Sequence, residues 1–560
     1  MPEPEASHSK LILFEDEHLL VVNKPAGWNT HAPSPFAGEG VYDWLRHREP
    51  RWAALAIIHR LDRETSGVLV FTKSREANRS LTAQFSEHSV GKRYLLITDR
   101  PVKRREFTVV STLVRAGERY RTSPTGKGGE RAETRFRVRE TTAGRTWVEA
   151  EPITGRTHQI RVHASESGFP VLGDALYGGT PAPRVHLHAA ELTLRHPATG
   201  ERVTFAAPAN FEEDVRLSLR EALINPAETN TFRLIHGEAD AWPGWHVDRL
   251  GEFLLSQSAK PLTVPQLDRL RPLLDATRNT QHATRGVWHK ILNPDIRKAS
   301  PAEAAPQWVL GDAVPERFEI RENGVRFELS FSEGYSVGIF LDQRDNRRRF
   351  LTGHIAAGFP FWTGSAGLRS GAPEILNTFA YTCGFSVCAA KAGARTTSLD
   401  LSKKYLDWGR RNFALNGLDA AGHEFVFGDA FDWLRRLAKK GRTFDAVALD
   451  PPTFSQSKAG GAFRAEKDYG RLVATALPVL MPGGTLFASS NAAMLRPEEF
   501  LRQIESAVAN AGRRILQRHY APQPPDFPIT REAPGYLKTV WLWIAGAESG
   551  NGGVRRRGSG

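Results

Sequence analysis

At 560 residues the chain exceeds what one hydrophobic core supports, so two or three domains are expected. Hydrophobic residues at 40% and charged residues at 24% exclude a globally disordered chain, and 75 Lys and Arg against 62 Asp and Glu give a formal charge of +13. That excess favours a polyanion such as nucleic acid, without separating RNA from DNA or an acidic membrane surface. Cys383 and Cys388 are too few for a disulfide framework or a four-thiolate zinc site. MPEPEASHSK is no apolar leader, and no run reaches the roughly 18 apolar residues of a membrane helix, so a cytoplasmic protein without membrane attachment is expected.

In chain order, Leu11 to Gly27 reads as a strand, an acidic turn and a second strand stopped by Pro25 and Gly27. Short strands recur at 94–97, 134–139, 147–152 and 187–194, with few long helical patterns, and a helical stretch runs through Leu223. Alternating segments at 231–256 and 318–331, separated by Pro- and Ala-rich sequence around Pro301 to Pro306, predict a small α+β domain. From Glu374 apolar strands alternate with helices, the pattern of a parallel α/β sheet. The expected class is multidomain α+β and α/β: a mixed-sheet domain over 1–212, a central α+β domain over 213–335, a Rossmann-like domain over 336–546 and a disordered basic tail over 547–560.

Residues His59 to Gly67 read HRLDRETSG, between the apolar runs LAII and VLVFT. An ionised Asp62 there is costly unless paired, and alone it reads as a helix cap or ion-pair member. It is accompanied by GKRYL (91–95), TGRTHQIRVH (154–163), GFPVLGDALYG (168–178) and LHAAELTLRHPATGE (187–201). In order and spacing these elements resemble the RluA-type pseudouridine synthases over residues of about 11–210. The resemblance implies that Asp62 attacks a uridine covalently, so that the glycosidic bond breaks and the base rejoins through carbon 5. It implies Arg161 as the partner of Asp62, Ile160 as the apolar wall and Tyr94 as the aromatic that stacks on the base. A stacked uridine must be flipped out, and Arg60 is placed to enter the vacated space; a phosphate contact is its equal alternative. His158, His163, His186 and His188 suggest a metal, but the family uses none, and structural or RNA-contact roles are expected. The small RNA-binding domain that precedes many relatives is expected to be absent, since the pattern begins near Leu11.

The second constellation is ILNTFAYTCGFSVCAAKAGARTTSLDLS (375–402): strand, Gly turn, helix, strand ending in Asp400. Such a turn lets backbone approach a ligand at the strand ends, and Asp400 can accept ribose hydroxyls. NAD is the rival ligand, but GxGxxG is missing. GDAFDWL (428–434) and FDAVALDPPTFSQSK (444–458) follow. The two prolines of DPPTF lock a turn and remove donors, so that Asp450 and nearby carbonyls can face a target amine or ring nitrogen.

With TFRLIHGEADAWPGWHVDR (231–249), GIFLDQRDNR (338–347) and DFPITREAPGYLK (526–538), residues of about 225–545 resemble the 23S rRNA methyltransferases of the RlmI and RlmK type. The resemblance implies S-adenosylmethionine as cofactor, bound by Asn377, Phe379, Thr382, Gly384, Phe385, Asp400, Ser402, Asp429 and Ala430, and catalysis at Asp450, Pro451 and Pro452. It implies an RNA partner, 23S rRNA first and tRNA as the alternative, and no metal. Relatives that methylate cytosine carbon 5 carry a cysteine on the strand after the GG turn; this chain has Ser489, Ser490 and Asn491 there, with its cysteines in the cofactor loop. Guanine nitrogen 7, which needs no covalent catalyst, is therefore the expected acceptor. The alternatives are cytosine carbon 5, one half inactive and serving as an RNA clamp, and a DNA methyltransferase, whose [DNS]PP[YFW] motif is related.

Overall fold

The computed structural model describes residues 10–126, 128–275, 284–292, 305–333, 336–359, 361, 371–457 and 461–546. The expected basic tail and part of the Pro- and Ala-rich stretch lie outside them. The described residues divide into two compact units, 10–34 with 39–249, and 35–38 with 250–546.

The first unit is built on a mixed eleven-stranded sheet. Its strands are β1 (Ile12–Glu15), β2 (Leu19–Lys24), β3 (Ala56–Ile57), β4 (Ser66–Thr72), β5 (Gly91–Thr98), β6 (Glu106–Ala116), β7 (Arg119–Thr122), β8 (Glu130–Thr142), β9 (Arg145–Pro152), β10 (Leu187–Arg195) and β11 (Arg202–Ala206). The main order is β1-β2-β4-β10-β5-β9-β8-β6-β7, with β3 on β4 and β11 on β10. Every residue of β4 is buried, as a near-continuous apolar run covered on both faces requires. Three helices that the sequence pattern left out lie among the strands: α1 (Val41–Arg48), α2 (Arg75–Ser86) and α3 (Gln159–Glu166). Ser74 starts α2 by accepting the Ala77 N–H (3.1 Å). Helix α4 (Val215–Leu223) and strands β12 (Thr231–His236) and β13 (Trp245–Leu250) follow, where Arg220 is held by both oxygens of Asp240 and Arg233 by both of Asp248.

The second unit begins with β14 (Phe253–Ser258), helix α5 (Val264–Asp275), β15 (Gly286–Ile291) and β16 (Gln307–Gly311), in which β14 and β15 are parallel and β15 and β16 antiparallel. A hairpin of β17 (Phe318–Glu322) and β18 (Val325–Leu329) leads to α6 (Arg344–Thr352). Strands β19 (Glu374–Thr378), β20 (Arg395–Asp400), β21 (Glu424–Phe427) and β22 (Phe444–Leu449) alternate with α7 (Gly384–Lys391), α8 (Lys403–Leu415) and α9 (Ala430–Lys439). The chain then forms the hairpin β23 (Phe454–Ser457) and β24 (Gly461–Arg464), α10 (Ala465–Ala476), β25 (Leu480–Ser490), α11 (Pro497–Asn510), β26 (Ile515–Tyr520) and β27 (Lys538–Ile544). The sheet order is β21-β20-β19-β22-β25-β27-β26, parallel through β25, with β27 antiparallel to both neighbours. Of its two flanking cores, one gathers Phe350, Phe385, Phe487 and Trp541, and the other Leu434, Leu472, Val473, Phe500 and Ile504. Among the described residues no helix is long and apolar enough to cross a membrane.

One glycine fixes how the Asp62 segment enters the first sheet. Gly67 has φ +115°, and a Cβ there would lie 2.2 Å from the Ala189 carbonyl oxygen on β10. Gly67→Ala is expected to cost about 2–4 kcal/mol, through strain and the forced separation of β4 from β10. Denaturant unfolding with an unchanged midpoint would contradict this close approach.

Candidate functional site

The segment carrying Asp62 leaves β3 and enters β4, and three anchors shape it. Thr30 Oγ donates to the Leu61 carbonyl (2.8 Å) and accepts the Leu61 N–H (3.2 Å), and the Asp62 carbonyl accepts the Thr65 N–H (3.1 Å). Lys24, fully buried, donates to the carbonyls of Pro25, Trp28 and Arg63 at 2.9, 2.7 and 3.3 Å. Burial pulls the Lys24 ammonium down to about 7, against the opposing pull of the Glu64 and Asp62 charges.

Arg161 on α3 meets Asp62, but not as a simple pair. Its Nε and Nη2 bind both oxygens of Asp174 at 2.7 and 2.8 Å, and Nη1 alone faces Asp62 Oδ2 (3.5 Å) and Glu64 (3.6 Å). Burial opposes the guanidinium charge, but the Asp174 hydrogen bonds and the charges of Asp174, Asp62 and Glu64 hold it protonated. Tyr94 on β5, between Ala150 of β9 and Ala189 of β10, has its phenol pushed up by burial and by the Asp62 charge, so it stays neutral. Ile160 is buried, and Arg60 is exposed.

The sequence reading gave no role to Asp174 and Tyr177, although both lie in the quoted GDALYG. It also gave His158 only a generic one. His158 Nε2 lies 3.9 Å from Asp62 Oδ2, and its Nδ1 lies 2.8 Å from the Tyr177 hydroxyl. The other three histidines face inward: His163 bonds Thr134 (2.8 Å) and Ser111 (2.9 Å), His188 bonds Ser66 (2.8 Å) and the Ala207 carbonyl (3.0 Å), and His186 the Arg184 carbonyl (2.9 Å).

In the second unit the expected residues fall along the carboxyl ends of adjacent parallel strands: Asp429 after β21, Asp400 on β20, Asn377 on β19 and Asp450 after β22, with Ser489 and Ser490 ending β25. Asp400 binds the Tyr381 and Ser402 N–H groups, both at 2.8 Å, and so pins two loops; burial raises its carboxyl despite those bonds. Ser402 and Asp429 cap α8 and α9, and Ala430 opens α9. The turn before α7 is left-handed at Phe379, Tyr381 and Cys383 (φ +56°, +47° and +64°). Gly384 leaves room for Arg347, whose Cδ a Cβ would meet at 3.2 Å. Three strained non-glycine residues in one loop mark a functional segment. The Thr382 hydroxyl is taken by the Gly338 carbonyl (2.6 Å), and Phe385 is buried on α7.

The residues fit a nucleoside cofactor with a cationic amino-acid tail. Asn377 donates to Ser386 (2.9 Å), while its buried Oδ1 has no hydrogen-bond partner among the described residues, an acceptor open to an ammonium. Asp450 is half-buried, and its desolvation pushes its carboxyl up to about 6, with Ser489 opposing and the Asp342 charge adding to the rise. Gln343 Nε2 bonds Ser489 Oγ (2.7 Å) and reaches Asp450 (3.4 Å). The Tyr469 hydroxyl lies 3.0 Å from the Leu449 carbonyl and accepts the Ser489 N–H (2.8 Å), clamping β22 to β25. Gln343 and Tyr469 were not foreseen. Pro451 is buried and Pro452 exposed. Both thiols are buried; burial pushes Cys383 up to about 12, and Cys388 is also raised.

A mixed sheet presenting an Arg-backed carboxylate, and a parallel sheet with polar groups along its strand ends, define two enzyme domains, the second of the class that binds nucleoside cofactors. The RNA pseudouridylate synthase family matches residues 18–166, and the S-adenosylmethionine-dependent methyltransferase family residues 232–542. A ribosomal RNA large subunit methyltransferase of Deinococcus radiodurans is 35% identical over 336 residues, covering 59% of this chain and 77% of that protein. Ribosomal large subunit pseudouridine synthase C of Escherichia coli is 41% identical over 219 residues, covering 36% of this chain and 67% of that one. A solved methyltransferase complexed with SAH is 26% identical with a TM-score of 0.48, over 62% of this chain and 86% of that one. The chain belongs to both families and joins a pseudouridine synthase to a methyltransferase that uses S-adenosylmethionine.

The buried thiols give a direct check. Neither cysteine is expected to react with a thiol reagent at neutral pH in the native protein, and both should react after denaturation. A native thiol titrating rapidly would contradict their burial.

Proposed function

We propose that the first unit converts a uridine of large-subunit ribosomal RNA to pseudouridine with Asp62 as nucleophile, and that the second methylates a guanine of that RNA at nitrogen 7. Residues 1–212 form the synthase, 213–335 an accessory region and 336–546 the methyltransferase; tRNA is the alternative substrate, and the cytoplasm the expected location.

What supports the first assignment is that the carboxylate faces a guanidinium locked in place by Asp174. Arg161 Nη1 faces Asp62 Oδ2 at 3.5 Å, and Tyr94 offers a neutral aromatic face for the extruded base. The Asp62 carboxylate displaces the base from the sugar, and reattachment through carbon 5 releases it. Arg60, exposed beside it, enters the gap left by the flipped nucleotide.

What supports the second is the absence of a thiol where the acceptor would sit, since Ser489 and Ser490 occupy the strand end beside Asp450. S-adenosylmethionine supplies the methyl group. Asp400, Ser402, Asp429 and Ala430 hold its nucleoside, and Asn377, Phe379, Thr382, Gly384 and Phe385 its amino-acid portion. Transfer to guanine nitrogen 7 makes the base cationic, and an ionised Asp450, set by the Pro451–Pro452 turn, stabilises the charge as it develops.

Purified protein acting on unmodified rRNA tests both halves. Asp62→Asn should lower pseudouridine formation by at least about 10³-fold and leave methylation intact, whereas Asp450→Ala should do the reverse. Near-normal isomerisation by Asp62→Asn contradicts the nucleophile. Recovery of 5-methylcytidine in place of 7-methylguanosine contradicts the acceptor.

The raised carboxyl of Asp450 also sets a pH dependence. The ionised form is needed and is lost as pH falls through about 6, so methyl transfer should decline there in wild type, and Asp450→Asn should lose the step. A methylation rate flat from pH 5 to pH 8 contradicts a role for the charge.

A further inference from the structure

We propose that His158, locked by Tyr177, is a positioning residue of the synthase that fixes one oxygen of Asp62 and leaves the other, Oδ1, as the attacking atom. This rests on the assignment of Asp62 as nucleophile.

His158 stands immediately before α3 with φ +57° and ψ 16°, a left-handed conformation that is strained for a residue other than glycine. Its side chain does not cap the helix, so capping does not account for the strain. The ring bridges two groups instead: Nδ1 lies 2.8 Å from the Tyr177 hydroxyl, and Nε2 lies 3.9 Å from Asp62 Oδ2.

The direction of the proton follows from Tyr177. Its oxygen accepts the Tyr120 N–H at 2.9 Å, and the arrangement we propose has its hydroxyl proton donated to His158 Nδ1, 2.8 Å away. The imidazole hydrogen is then on Nε2, toward Asp62. Burial pulls the ring below its ordinary value, against the Asp62 charge, so His158 donates as a neutral group.

Arg161 Nη1 faces the same oxygen, Oδ2, at 3.5 Å, and its Nε and Nη2 are spent on Asp174. Among the described residues two donors of different charge thus converge on Oδ2 and none on Oδ1. Arg161 supplies the positive charge facing the carboxylate, and the neutral imidazole sets its rotation. The 3.9 Å separation shortens to a hydrogen bond when bound RNA excludes water from the site.

The test compares His158→Asn, which tolerates the left-handed backbone but cannot reach Asp62, with His158→Gln, whose amide can, and with Tyr177→Phe, which frees the tautomer. Asp62→Asn is measured in parallel, and the denaturant unfolding transition of the same chains reports intact folding. The expected result is a roughly 10–100-fold lower kcat for isomerisation in His158→Asn and Tyr177→Phe, with the KM for RNA within about twofold. His158→Gln should recover most of the loss. Unchanged kcat in His158→Asn, a loss confined to KM, or no recovery by His158→Gln overturns the proposal. If Asp62→Asn is inactive while His158→Asn turns over normally, only the positioning role falls; if Asp62→Asn is active, the nucleophile assignment falls with it.

Discussion

An arginine buried away from water must have its whole donor fork satisfied, and both sites are arranged around that constraint. In the first unit Asp174 takes two edges of Arg161, leaving a single nitrogen for Asp62. If the fork were bidentate to Asp62 instead, both carboxylate oxygens would be occupied, and a strong ion pair would compete with attack on the substrate. The second unit repeats the device on α6. Arg344 is held by both oxygens of Asp526 (2.9 and 2.6 Å), and Arg347 by both oxygens of Glu322 (2.6 and 2.7 Å). Arg347 also lies over Gly384, so this charge network backs the cofactor loop directly.

The two sites solve different chemical problems with the same side chain. Asp62, partly open to water beside a protonated arginine, is suited to making and breaking a bond to carbon. Asp450, half-buried between Gln343, Ser489 and a second carboxylate, Asp342, is suited to opposing a cation. Position on the fold underlies the contrast: a loop between the short strand β3 and the buried strand β4 in one case, the carboxyl end of a central parallel strand in the other.

Much of this was legible in the sequence because the chemistry travels in short contiguous runs. HRLDRETSG, THQIR and DPPTF each place their residues within a short run of chain, ILNTF…TSLD within one strand–helix–strand unit, and the alternation of apolar strands and helices after Glu374 identified the parallel sheet. What was not legible comes from distant partners. That Asp174 would capture the Arg161 fork, that Tyr177 would set the tautomer of His158, and that Tyr469 would clamp β22 to β25 depend on contacts across 13, 19 and 20 residues. The helices of the first unit were missed because their apolar stripes are short and charge-rich, as in REANRSLTAQFS, so tertiary packing, not sequence periodicity, decides them. The left-handed backbone at Phe379, Tyr381 and Cys383 was not legible either, because none of these residue types signals a positive φ.

The central claim is that one polypeptide isomerises one RNA base and methylates another. It is tested most directly by nucleoside and site-resolved analysis of ribosomal RNA from cells lacking the gene, against the parent and against cells complemented with the Asp62→Asn or Asp450→Ala chain. The account predicts that deletion removes one pseudouridine and one methylated base, and that each complementing variant restores only the modification made by its intact half. Both modifications persisting in the deletion strain, or both returning with either variant, would contradict it.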